Sequence, residues 1–295
     1  MLYRPLNLKK GARVALIAPS SPVDSKDLDI YVNELKKLDF DIIIKESCFQ
    51  NSHPYLSGSD NLRAKDIMDS FLDKSIDGIF CIRGGYGAGR ILDKIDFGEI
   101  SKNPKPFFGY SDITALHIAI NQNCRFITYH TPMPNKFANL DNYSYNSMNN
   151  LIFDKNIKKI QNPEGQPFKF IRKGNLKGIL TGGNLSVICS LLSTKYEINT
   201  KGKVLFIEEV DEPDYKIDRM LNQLRLSKKF LDCSGVIFGN FEGCSGISIK
   251  KILKMFDFGV PIMYNLKVGH GIPSTSLPMG AMISINNDCE IDLLW

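Results

Sequence analysis

The chain has no C-x-x-C pair, no long basic run, no extended hydrophobic run and only four histidines. Each of these removes a class of function. Its seven cysteines are odd in number and widely spaced, which suits neither a zinc site nor a disulfide framework. Most lie in apolar stretches, where a free thiol behaves as a small hydrophobe, and seven free thiols fit a reducing compartment. With the histidines equally dispersed, no metal site is expected. Lysines occur singly or in pairs, such as Lys9-Lys10 and Lys250-Lys251, so the net charge of +5 describes solvated faces rather than a nucleic-acid groove. The apolar run Val14–Ala18 stops at Pro19, too short for a secretion signal, and no run approaches membrane-spanning length. A cytoplasmic protein with neither nucleic-acid nor membrane partners is the expectation.

What is present is an alternation of strand and helix. At 295 residues, 43% hydrophobic and 23% charged, the chain can bury a sizeable core in one large domain or two ordinary ones. Arg13–Ala18 reads as a buried parallel-type strand closed by Pro19-Ser20-Ser21-Pro22. Helical spacing over Asp24–Leu38 and Asp60–Phe71 alternates with strands over Phe40–Ile44, Ile76–Ile82 and the run ending at Phe107-Phe108, and a further helix starts at Ile91. Short connections between such elements predict a doubly wound parallel sheet, with ligands at the carboxyl ends of its strands. Residues 1–150 are read as this domain and 151–174, weakly periodic, as a linker. Residues 175–295 are read as a second, β-rich α/β domain, with strands over Leu176–Leu180, Lys203–Glu209, Ser234–Phe241 and Val260–Leu266. A terminal hairpin is expected to turn at Asn287-Asp288.

The residues able to carry chemistry sit at the predicted strand ends. In Lys105–Ala119 a short aromatic strand leads through Gly109-Tyr110 to Ser111-Asp112 and then a helix. Strand, tight turn and helix is the setting that presents a nucleophilic hydroxyl, although the second glycine of G-x-S-x-G is missing. The alternative is that Ser111 or Asp112 caps the helix. A serine nucleophile needs an imidazole and usually a carboxylate to orient it. Of the histidines, His53 lies in a polar loop, His117 follows Ser111 on a helix and points elsewhere, and His130 ends an apolar strand. His270 lies between Gly269 and Gly271 and is the best base candidate, the alternative being a structural loop histidine. Glu208 and Glu209 end a strand, where alternation lets only one of them reach a given neighbour, leaving the other to the opposite side or solvent. Arg83–Gly89 lacks the G-x-G-x-x-G spacing and has no Gly-Lys-Ser/Thr, which leaves an oxyanion-hole loop or a plain strand-to-helix turn.

Five stretches occur in order: Ala15–Ser21, Arg83–Gly87, Gly109–Asp112, Phe206–Glu209 with Tyr215–Leu221, and Gly269–Gly271. In these the chain resembles the LD-carboxypeptidase serine peptidases, the muramoyltetrapeptide carboxypeptidases, over about Arg13 to Gly280. The resemblance implies an N-terminal flavodoxin-like domain holding the nucleophile and a C-terminal domain holding the other two catalytic residues. It implies no cofactor and a homodimer. Carried over, Ser111 is the nucleophile, His270 the base and Glu208 its orienter, and the backbone amides of Gly85 and Asp112 form the oxyanion hole. The substrate implied is a murein tetrapeptide cut to release terminal D-alanine; within the family the alternative is a peptidyl-nucleotide amide. Thr131, in Tyr129-His130-Thr131-Pro132, stands where the resemblance leads one to expect glycine. A competing reading from another class is a two-domain small-ligand binding protein with no catalysis, in which Ser111 is only a cap.

Overall fold

The computed structural model describes residues 1–154, 156–244, 249–285 and 290–295. The expected turn at Asn287-Asp288 lies outside the described residues, as does Cys289. In chain order the strands are β1 (Arg13–Ile17), β2 (Asp41–Ile44), β3 (Gly78–Cys81), β4 (Phe107–Gly109), β5 (Thr128–His130), β6 (Lys159–Ile160), β7 (Lys169–Arg172), β8 (Leu176–Asn184), β9 (Val204–Val210), β10 (Gly235–Glu242), β11 (Ile262–Tyr264), β12 (Leu277–Met279), β13 (Met282–Ile285) and β14 (Ile291–Leu293). The helices are α1 (Ser25–Lys36), α2 (Asp60–Leu72), α3 (Phe97–Ser101), α4 (Thr114–Asn123), α5 (Asn142–Phe153), α6 (Leu185–Ser190), α7 (Asp214–Leu226) and α8 (Ile249–Leu253).

The first sheet runs β12-β5-β4-β3-β1-β2. Its strands β1 to β5 are parallel, in the flavodoxin-like order 2-1-3-4-5, and β12 is added antiparallel along β5. Of these, β1, β3 and β4 are short and buried on both faces, which is why they read as continuous apolar runs. The rings of Phe80 and Phe108 stack at 4.4 Å and those of Phe108 and Tyr129 at 5.0 Å, an aromatic ladder across three strands worth about 0.5–1.5 kcal/mol per pair beyond burial. The order reverses between β1 and β3, so the loops after them, Pro19–Ser21 and Gly84–Gly89, flank the crevice where such sheets bind ligands.

The second sheet runs β6-β14-β13-β8-β9-β10-β11-β7, with β8 to β11 parallel in the middle and antiparallel strands at both edges. Val204 and Phe206 of β9 face the cluster that contains Phe108 and Tyr129, while Leu205 and Ile207 face the one that contains Leu185, Ile188 and Ile217. β9 therefore has one face toward the first sheet and the other toward α6 and α7.

Three expectations change. The segment read as a linker, 151–174, holds the end of α5 and the edge strands β6 and β7. The helix expected from Ile91 is a 3₁₀ segment over Ala88–Lys94. The C-terminal part returns β12 to the first sheet, which no periodicity in its three residues announced. Among the described residues six cysteines are free, five of them buried and Cys244 partly so. No helix among them is long and apolar enough to cross a membrane.

Candidate active site

Ser111 begins a 3₁₀ turn, Ser111–Ile113, between β4 and α4. Its φ is +65°, a left-handed conformation that a non-glycine residue adopts at a cost of about 1–3 kcal/mol. A strained turn between a parallel strand and a helix is also the backbone setting in which a nucleophile elbow presents its serine. Neither Ser111 nor Asp112 caps α4, whose preceding residue, Ile113, makes no side-chain cap. Asp112 turns its carboxylate the other way and accepts from Ser20 Oγ at 2.6 Å and from the Ala88 amide at 2.8 Å. Burial pushes this carboxyl up, against those hydrogen bonds.

Gly84 sits against the serine: a Cβ on it would lie 3.1 Å from Ser111 Oγ. Gly85 has φ +111°, and its N–H forms no hydrogen bond among the described residues. Its neighbours are fixed by Ser21, whose amide donates to Gly84 O at 3.3 Å and whose Oγ accepts from Tyr86 N at 3.1 Å.

Glu208 is fully buried on the β9 face toward the first sheet, and its Oε2 accepts from His270 Nδ1 at 2.8 Å. A carboxylate on Nδ1 leaves Nε2 of the neutral ring as the acceptor. The backbone makes room for this pair. In β10 the register slips between Phe238 and Phe241, a bulge opposite Glu208. Gly269, at φ +120°, is needed because a Cβ there would lie 2.6 Å from Glu208 Oε2. The His270 ring lies 4.8 Å from that of Tyr110, the residue before Ser111, which brings the pair from the second sheet beside the Ser111 turn of the first. Tyr110 itself is buried and held neutral, its hydroxyl pKa pushed well up by burial and then by the Glu208 charge. Ser111 Oγ makes no hydrogen bond among the described residues, to His270 included.

The remaining candidates separate. Glu209 is buried rather than solvated: it accepts from Asn184 Nδ2 at 2.7 Å and from the Ser186 and Val210 amides at 2.8 and 2.9 Å, anchoring the start of α6. His53 accepts loop amides of Tyr55 and Leu56 at 3.3 and 3.2 Å. His130 is fully buried, its ring edge-on to Phe206 at 5.3 Å and 5.7 Å from Tyr110, with Nε2 lacking a partner. Thr131 is buried as well, its amide bonded to Gly109 O at 3.1 Å. His117 bonds Thr128 Oγ1 at 2.8 Å and Gly109 O at 2.9 Å in the core.

Burial pushes His117 down to about 4, and His130 well below its ordinary value. Below about pH 6.5 the unfolded chain takes up a proton at His117 that the folded one refuses, so this residue removes stability as the pH falls toward 4 and is silent above 6.5. The expected loss from His117 is about 2 kcal/mol at pH 5. Urea unfolding of the wild type and His117→Gln at pH 7 and 5 should show a smaller drop in the variant; equal drops would refute it.

The bonds that the Arg63 and Asp112 side chains make follow from no sequence motif. Arg63 lies four residues before Ile67 on the inward face of α2, and a charge on an apolar stripe is a readable signal. Among the described residues no group of three or more His, Cys, Asp or Glu side chains is placed to hold a metal ion.

A doubly wound sheet that strains a serine at its carboxyl edge, met by an imidazole–carboxylate pair from a second sheet, has the layout of a serine hydrolase. The comparisons narrow the class. Residues 14–131 match the sequence family described as LD-carboxypeptidase N-terminal domain, and residues 177–285 match LD-carboxypeptidase C-terminal domain. The chain belongs to the LD-carboxypeptidase family, which makes it a serine peptidase of carboxypeptidase type. It is 38% identical over 295 residues to a probable murein peptide carboxypeptidase of Bacillus subtilis, covering 96% of this chain and 92% of the relative. It is 27% identical over 294 residues to the murein tetrapeptide carboxypeptidase of Pseudomonas aeruginosa, covering 91% of each. In structure it resembles an MccF-like protein from Bacillus anthracis, with a TM-score of 0.88 and 25% identity, over 99% of both chains.

Proposed function

We propose that the protein is an LD-carboxypeptidase that removes terminal D-alanine from murein tetrapeptides in peptidoglycan recycling. The observation that carries this is the His270–Glu208 pair at 2.8 Å, packed through Tyr110 against the strained Ser111. In this reading Ser111 Oγ attacks the carbonyl carbon of the scissile L,D-amide while His270 Nε2 takes its proton. The Gly85 and Asp112 amides stabilise the oxyanion. His270 returns the proton to the leaving D-alanine nitrogen, Glu208 holds the imidazolium, and water then releases the acyl group from Ser111. The murein names of the Bacillus and Pseudomonas relatives support the substrate. The reading includes a cytoplasmic homodimer that uses no cofactor.

Mass spectrometry of a murein tetrapeptide incubated with the protein should show the loss of one alanine. An unchanged tetrapeptide would reject the substrate. The likeness to an MccF-like protein favours a second reading, cleavage of a peptidyl-nucleotide amide, and the same assay on such a conjugate decides between the two. Turnover should also survive EDTA without added metal, since neither cysteine nor histidine spacing supplies a ligand set. Loss on chelation with recovery on adding zinc would overturn the serine mechanism.

A further inference from the structure

We propose that Arg63 is a positioning residue for the oxyanion hole, acting through the Gly84–Gly89 loop; the inference rests on the serine-peptidase reading above. The Arg63 side chain is fully buried beneath the two loops that flank the crevice. Its Nη1 donates to Pro19 O at 2.6 Å and to Gly87 O at 2.8 Å, and its Nη2 to Asp60. Asp60 in turn accepts from Arg90 Nε and Nη2 at 3.1 and 2.8 Å, so the guanidinium is itself held from behind.

The acceptors form a closed ring. Gly87 O and Ala88 N belong to one peptide plane. Arg63 holds its oxygen, and Asp112, the residue after Ser111, accepts from its nitrogen at 2.8 Å. The other loop is gripped in the same way, with Pro19 O on Arg63 and Ser20 Oγ on Asp112 at 2.6 Å. One cation and one anion thus clamp both loops at adjacent residues, and the anion sits in the nucleophile turn. A peptide plane fixed at both ends two residues beyond Gly85 sets the direction of the Gly85 amide relative to Ser111. The fit is close: a Cβ on Gly87, at φ +134°, would lie 2.6 Å from Arg63 Nη1.

A purely structural role explains the arrangement less well. A buried guanidinium is expensive to desolvate, and Arg63 Nε has no partner. Buried charge retained beside a reaction centre is expected where orientation matters more than stability.

The test compares wild type with Arg63→Met and Arg63→Lys by steady-state kinetics on the tetrapeptide, binding of a tetrahedral phosphonate analogue, and hydrogen exchange of the Gly84–Gly89 segment. We expect kcat to fall about 10²–10³-fold, as for loss of an oxyanion donor. KM should stay within about twofold, and the analogue should lose the same factor as kcat. Exchange should speed up in Gly84–Gly89 while the rest keeps its protection, with Arg63→Lys milder than Arg63→Met. If Arg63→Met does not fold, Arg63→Lys and Asp60→Asn decide. Folded variants with wild-type kcat overturn the inference, and so does unchanged exchange in the loop. A wild type that does not cleave the tetrapeptide rejects the proposed substrate instead, and the exchange measurement still tests the clamp.

Discussion

Replacing Ser111 with alanine is expected to lower turnover by roughly 10⁴–10⁶ and to leave the fold intact. The serine lies in a positive-φ turn, so its present conformation is a strain the fold carries, and alanine inherits the strain without the hydroxyl. No capping bond is lost, because Ser111 makes none. His270→Ala should cost about as much, and the double variant little more than either single one, since the members of a triad act as a unit. Near-wild-type rates for His270→Ala together with a dead His130→Ala would move the base to His130. The geometry opposes that outcome: His130 is buried, with its proton affinity pushed down, and His270 is the one bonded to a carboxylate.

The second large effect separates two adjacent acids. Glu208→Gln should lower turnover by roughly 10⁴, the size seen when the carboxylate partner of a catalytic histidine is neutralised. Its melting curve should shift little, because Glu208 Oε1 already lacks a partner and Oε2 has only His270. Glu209→Gln should do the reverse. Its carboxylate gathers three N–H donors, and an amide turned toward any of them leaves a buried donor unpaired, at a cost of about 1–3 kcal/mol. Turnover on the tetrapeptide and thermal melts of both variants are enough to decide. A dead but stable Glu209→Gln beside an active Glu208→Gln would assign the roles the other way round.

The sequence made the first sheet legible because parallel strands buried on both faces leave continuous apolar runs, and Arg13–Ala18 and Ile76–Ile82 are such runs. The four motif-bearing loops fall at strand ends for the same reason. Alternation along Phe206–Glu209 showed that only one acid could face the imidazole. It did not show that the other would be buried, because a carboxylate that anchors a helix start leaves no periodic trace. The edge strands β6 and β7 were unreadable: two and four residues carry no period, and their pairing partners lie 90 or more residues away. Ser111's left-handed backbone and the Arg63–Asp112 clamp depend on atoms meeting from separate loops, which single-chain patterns do not encode. Only the charge on the inward stripe of α2 hinted at the clamp.

The return of β12 to the first sheet has a consequence for how the molecule can be cut or moved. Leu277, Pro278 and Met279 pair with His130, Tyr129 and Thr128, a few residues beyond His270 in the chain. The loop that carries His270 is thus stitched to one sheet ahead of it, through β11, and to the other behind it. A fragment ending near residue 175 would leave β5 as a raw edge, open to pairing with other chains. Mixing separately expressed halves would have to restore a strand crossing from one to the other. The same stitch restricts hinge opening: the two sheets cannot swing apart at this seam without first unzipping β12.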